Sequence, residues 1–102
     1  MNWVEVCGAN DIEREDVHRF VHEKETYAVY RTTDDRYYAT HGICTHQKFL
    51  LTGGFVMGTV IECPKHNGRF DFTTGKALGA PACIDLKTFP VEVREGKVFI
   101  SI

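Results

Sequence analysis

The chain has 102 residues, 43% of them hydrophobic, with 14 acidic against 12 basic side chains and a net charge of −2. That length predicts one domain over 1–102, large enough for a core of its own, and the charge balance excludes the concentrated basic face of a nucleic-acid binder. No apolar run approaches the roughly 18 residues of a membrane span, and Met1-Asn2-Trp3-Val4-Glu5 enters an alternating pattern without a signal peptide's basic and apolar segments, so a cytoplasmic protein is expected.

Residues 3–7 alternate and read as a first strand, which Gly8-Ala9-Asn10-Asp11 ends. Residues 12–16 are charged and read as a turn or a single helical turn. Two strands follow, 17–22 and 27–31, with Glu23-Lys24-Glu25 as the hairpin turn between them. His18 and His22 share one face of such a strand, but no cysteine or carboxylate partner accompanies them, and they read as exposed strand residues. Thr33-Asp34-Asp35 turns the chain into a strand at 37–40, beyond which His41 reads as a surface loop histidine. Further strands are expected at 55–57, 59–62, 69–72, 88–94 and 97–102, with tight turns at Gly58, Thr73-Thr74-Gly75 and Glu95-Gly96. About nine short strands with no helix predict an all-β sandwich or partly open barrel.

The chemistry concentrates between Cys44 and His66. Cys44-Thr45-His46 opens this stretch and Cys63-Pro64-Lys65-His66 closes it, so each of two short loops offers one thiolate and one imidazole. A Cys₂His₂ zinc finger instead groups its cysteines in one pair and its histidines in another. The mixed pairing suits a two-iron cluster whose irons are unlike, one held by both cysteines and the other by both histidines. A structural zinc site in a binding module is the second reading, since zinc accepts the same ligands.

Both loops are expected at strand ends, which would hold them in fixed relation. Phe49-Leu50-Leu51 can pack over the metal and keep water away. Pro64 presets the backbone after Cys63, and Gly68 allows a close approach of the chain. Cys7 and Cys83 read as free, buried, small apolar side chains. A disulfide between them fits the cysteine count but not a cytoplasmic compartment.

The stretch resembles the small Rieske-type 2Fe–2S ferredoxins of multicomponent, ring-hydroxylating dioxygenase-like oxygenase systems. Tyr38-Ala39-Thr40 before the first loop and Gly68-Arg69-Phe70-Asp71 after the second carry the resemblance beyond the candidate ligands. So do Thr74-Gly75-Lys76, Ala80-Pro81-Ala82-Cys83 and the alternating stretch from Leu86 to Ile102. The resemblance implies a Rieske-type β-sandwich with a small cluster-binding subdomain at about 41–82.

It also implies one 2Fe–2S cluster held by Cys44, His46, Cys63 and His66, with the histidines on the outer iron and Gly79-Ala80-Pro81 as a third covering loop. The function implied is one-electron transfer from an NAD(P)H-dependent flavoprotein reductase to a terminal oxygenase, by a component that is not itself an enzyme. Gln47, Lys65, Asn67 and Pro81 are the candidate docking residues; a membrane or nucleic-acid partner is not expected. A Rieske-like small subunit of a larger reductase, such as a nitrite reductase, is the alternative. In high-potential relatives a disulfide ties the ligand loops, and a serine and a tyrosine donate hydroxyls to the cluster. Phe49 and Lys65 stand at the disulfide's places here, and Gly68 and Phe70 at those of the hydroxyls, so a potential at the low end of the Rieske range, around −150 mV, is implied.

Overall fold

The computed structural model describes residues 2–44, 50–64, 68–78 and 84–102. Eleven strands and two 3₁₀ turns lie among them, in three open antiparallel sheets. The all-β expectation holds, and no barrel closes among the described strands. The first sheet has the order β1 (Trp3–Gly8), β11 (Lys97–Ser101), β10 (Val91–Arg94). The second runs β2 (Asp16–His22), β3 (Glu25–Arg31), β4 (Tyr37–His41), β9 (Thr88–Phe89). The third runs β5 (Phe55–Met57), β6 (Val60–Glu62), β7 (Arg69–Asp71), β8 (Lys76–Ala77).

The second sheet lies between the other two, because successive side chains on a strand point to opposite faces. Ala28 and Tyr30 of β3 join Ile61 and Phe70 of the third sheet in one buried cluster, with Leu51, Phe72 and Leu86. Tyr27 and Val29 of the same strand join Val98 and Ile100 of the first sheet in another, with Ile12 and Ala39. Consequently β3 is buried on both faces over Tyr27-Ala28-Val29-Tyr30. Tyr30 stacks on Phe72 with ring centroids 4.2 Å apart, and its hydroxyl is 2.8 Å from Thr40 Oγ1. Thr40 spends its own proton on the His41 carbonyl at 2.8 Å, so Tyr30 is the donor to it.

Several elements depart from expectation. A bulge interrupts β1: Glu5 pairs with Phe99 and Cys7 with Val98, so Val6 is the extra residue, and Val6 and Cys7 both pack on the second cluster. The helical turn falls at Ala9–Asp11, ahead of the charged segment, where Asp11 Oδ2 accepts the Gly8 N–H at 2.8 Å. The β2–β3 turn is only Glu23-Lys24, at φ 48° and 69°, the type I′ geometry that matches strand twist; Glu25 already pairs with His22.

The expected strand at 88–94 is two strands in different sheets. Pro90 has no N–H to continue a ladder, so β9 stays beside β4 while β10 crosses to β11. The Pro90 carbonyl accepts the Ser101 N–H at 3.0 Å on the new side. Strand β8 has only two residues, too few for alternation to reveal.

Candidate metal centre

Strand β4 delivers the chain to the first loop. Gly42 N–H donates to Thr26 O at 2.8 Å, and Leu51 N–H donates to Gly42 O at 2.8 Å. Ile43 and Leu50 form an isolated antiparallel bridge. Loop 44–49 is therefore closed at its base by main-chain bonds. Gly42 is required there: a Cβ would lie 2.7 Å from Thr26 Cγ2 and 3.1 Å from the Thr26 carbonyl. Leu51 then opens a 3₁₀ turn, Leu51–Gly53, and is wholly buried.

The second loop is the connection of a hairpin. Glu62 ends β6, and Cys63 N–H donates to Gly68 O at 2.7 Å, which closes the base of residues 64–67. The two loop bases touch. Gly54, just past the 3₁₀ turn, lies so near β6 that a Cβ would come 2.1 Å from Glu62 O. A third segment, 79–83, springs from the same sheet, with Leu78 N–H donating to Arg69 O at 2.8 Å. Its far end is fixed by Leu86 N–H on Gly75 O at 2.7 Å and by Ala77 N–H on Asp85 Oδ1 at 2.9 Å.

Cys44 and Cys63 are 3% and 1% exposed and belong to one buried cluster with Leu51, Ile61, Phe70 and Leu86. The structure thus places the two cysteines that the spacing singled out in one buried cluster. Such a pair fits the cysteine-held half of a two-iron cluster: soft donors, walled by apolar side chains, on backbone that main-chain bonds hold fast. His46 and His66 lie outside the described residues, as do Phe49, Gln47, Lys65, Asn67, Pro81 and Cys83. Among the described residues no three histidines, cysteines or carboxylates are grouped to hold a metal.

The remaining candidates fall elsewhere. His18 and His22 do share a face of β2, but they are half-buried, with the His22 ring stacked on Phe20 at 6.0 Å. His41 is a strand residue and not a loop one: it ends β4 opposite Tyr27, stacks on that ring at 6.0 Å and meets Phe89 edge-on at 5.1 Å. Both rings belong to the core on the opposite side of the second sheet from Cys44 and Cys63. Cys7 is a half-buried free thiol, pushed up to about 11 by burial and then by the Asp11 charge. It is inert at neutral pH.

A family profile described as "Rieske [2Fe-2S] domain" matches residues 2–90. The chain belongs to the Rieske family. This Rieske chain is 38% identical, over all of its length and 97% of the relative's, to the ferredoxin component of the naphthalene 1,2-dioxygenase system of Pseudomonas putida. Among solved structures it is similar to the Sphingomonas yanoikuyae B1 ferredoxin, at 36% identity and TM-score 0.92, covering 99% of both chains. It is also similar to the ferredoxin solved in complex with reduced oxygenase in carbazole 1,9a-dioxygenase, at 38% identity and TM-score 0.91, over 97% of this chain and 92% of that one.

Sequence reasoning missed the features that join the loops. The Glu62–Arg69 ion pair, 2.9 Å from Arg69 Nε to Glu62 Oε1, crosses the hairpin directly below Cys63. The only sequence signal for it is that opposite charges flank the Cys63–Gly68 segment. Gly54 had a signal too, in the Gly53-Gly54 pair, but nothing in the sequence says which strand it must approach.

Proposed function

We propose that this chain is a one-electron carrier: Cys44 and Cys63 hold one iron of a 2Fe–2S cluster, His46 and His66 hold the other, and residues of about 41–82 form the cluster-binding subdomain. When bound, such a cluster supplies one-electron oxidation and reduction at a potential set by its surroundings. The observation that carries the reading is the burial of Cys44 and Cys63 in one apolar cluster, at the bases of two loops closed by main-chain bonds. Each cysteine precedes a histidine by two or three residues.

The chain's own part in the chemistry is to bind and to insulate. Leu51, Ile61, Phe70 and Leu86 keep water from the thiolates. The strand-anchored loop bases hold the donors at fixed separation, so little rearrangement accompanies a change of charge. An electron entering or leaving then needs only brief contact at the loop end, and contacts of that kind are small, under about 1,200 Å².

The proposed donor is an NAD(P)H-dependent flavoprotein reductase and the proposed acceptor a terminal oxygenase. The second is supported by relatives named as dioxygenase ferredoxin components and by one solved with its oxygenase. Gln47, Lys65, Asn67 and Pro81 are the proposed docking residues. A cytoplasmic site belongs to the proposal, and the free thiol of Cys7 is consistent with it.

Absorption and electron paramagnetic resonance spectra of the reduced protein test the ligand set. Alanine at Cys44, His46, Cys63 or His66 abolishes the spectrum, since ligand loss and folding are coupled. Alanine at Cys7, His18 or His22 leaves it unchanged. A coloured His66→Ala protein, or a colourless Cys7→Ala one, overturns the assignment.

A further inference from the structure

The rung of β6 and β7 directly below the second loop carries an ion pair on its outer face, while Ile61, Cys63 and Phe70 of the neighbouring rungs are buried on the inner one. Glu62 and Arg69 face one another across the hairpin, and Arg69 Nε donates to Glu62 Oε1 at 2.9 Å. The glutamate side chain is 16% exposed and the arginine 59%. The next rung is Cys63–Gly68, joined by its main-chain bond. That makes Glu62–Arg69 a non-hydrogen-bonded pair, the kind in which side chains approach most closely.

Three attachments meet at this rung. Glu62 is bonded to Cys63; the Glu62 carbonyl is the surface against which Gly54 packs; and the Arg69 carbonyl holds Leu78, from which segment 79–83 departs. One ion pair therefore spans the rung to which Cys63, Gly54 and Leu78 are each attached.

We propose that Glu62 and Arg69 are a positioning pair for the cluster. They hold the Cys63 loop in register with its neighbours, and they set two compensating charges one rung from Cys63. The inference rests on the ligand assignment proposed above. Magnitudes separate it from the bland reading. A partly exposed ion pair contributes at most about fivefold to an equilibrium constant. Loss of a group that supports a metal ligand typically changes metal retention 10- to 100-fold.

The test uses the cluster-loaded protein and the variants Glu62→Gln, Arg69→Gln, Arg69→Lys and the reversed pair Glu62→Arg with Arg69→Glu. The readouts are the half-life of the visible absorbance under a chelator and the midpoint potential. Each Gln variant is expected to lose colour at least about tenfold faster, and the reversed pair to recover most of the half-life. The potential should rise in Glu62→Gln, which leaves a positive charge unopposed, and fall in Arg69→Gln, which leaves a negative one.

Arg69→Lys keeps the charge and serves if a Gln variant fails to fold; its potential should match that of the parent while its half-life shortens. Half-lives within about fivefold of the parent, or potentials that move in the same direction in both Gln variants, overturn the pairing role. A parent protein that shows no cluster spectrum at all instead overturns the ligand assignment.

Discussion

Asp35 shows how single side chains organise the end of the molecule remote from the loops. It accepts from Arg14 Nε at 2.8 Å and from Arg31 Nη2 at 2.9 Å, while Arg31 Nη1 reaches the Ile12 carbonyl at 2.8 Å. The Arg14 hydrogen bond, then that of Arg31, holds the Asp35 carboxyl down to about 2. An unfolded aspartate titrates near about 3.9, so the depressed group adds stability that is fully present above that value. The contribution is lost as pH falls through about 2. Thermal melts between these limits should show a steeper acid limb for the parent than for Asp35→Asn; equal limbs would mean that the two arginines do not hold the charge. At the loop end, Phe70 is wholly buried and Gly68 has no side chain, so neither offers a hydroxyl near Cys63. With no such donors to stabilise added negative charge, the midpoint potential should lie around −150 mV, the low end of the Rieske range. Redox titration checks it, and a value above about +100 mV overturns it.

Among the elements, the third sheet bears most directly on the site, because loop 2 and segment 79–83 spring from its strands and the 3₁₀ turn abuts β6. Its strands are two or three residues long, and their stability comes from packing, not from the ladder itself. Ile61 and Phe70 are the inward rung, both wholly buried. Ile61→Ala should cost about 2–5 kcal/mol, read as a lowered midpoint of denaturant unfolding. A loss below about 1 kcal/mol would show that this core collapses around the cavity without consequence. The Glu15 carboxylate ties the sheet to the start of β2, accepting the Gly58 N–H at 2.9 Å across the β5–β6 turn. That bond is exposed and secures orientation more than stability.

For the whole molecule, charge is distributed unevenly. Residues 42–83 carry Lys48, Lys65, Arg69 and Lys76 against only Glu62 and Asp71, while the rest of the chain has eight basic against twelve acidic residues. The loop-bearing part is positive and the body negative, a polarity that steers an acidic partner surface toward the loops. Electron-transfer rates with the proposed oxygenase and reductase partners should therefore fall as ionic strength rises and screening shortens the reach of these charges. Lys65→Glu should slow transfer to at least one partner without altering the spectrum. Stopped-flow measurements over a range of salt check both, and rates indifferent to salt and to Lys65 would show that docking is not charge-steered.

The candidate ligand pattern stands out in the sequence because metal chemistry is carried by residue type and spacing, and Cys44-x-His46 with Cys63-x-x-His66 needs no tertiary information to be noticed; of the four, the described residues include only the two cysteines, both buried. Most strands were legible for the same kind of local reason, as were the turns at Gly58 and at Glu95-Gly96, where backbone conformation is set within a few residues. Alternation failed wherever contacts came from far along the chain. It could not show that β3 is covered on both faces, since Tyr27-Ala28-Val29-Tyr30 meets two different sheets. It could not show that Pro90 hands one apparent strand to two sheets, or that His41 turns into the core away from the cysteines. Nor could it pair Glu62 with Arg69 or press Gly54 against β6. Those facts depend on which strands become neighbours, and that is decided by burying both faces of the middle sheet at once.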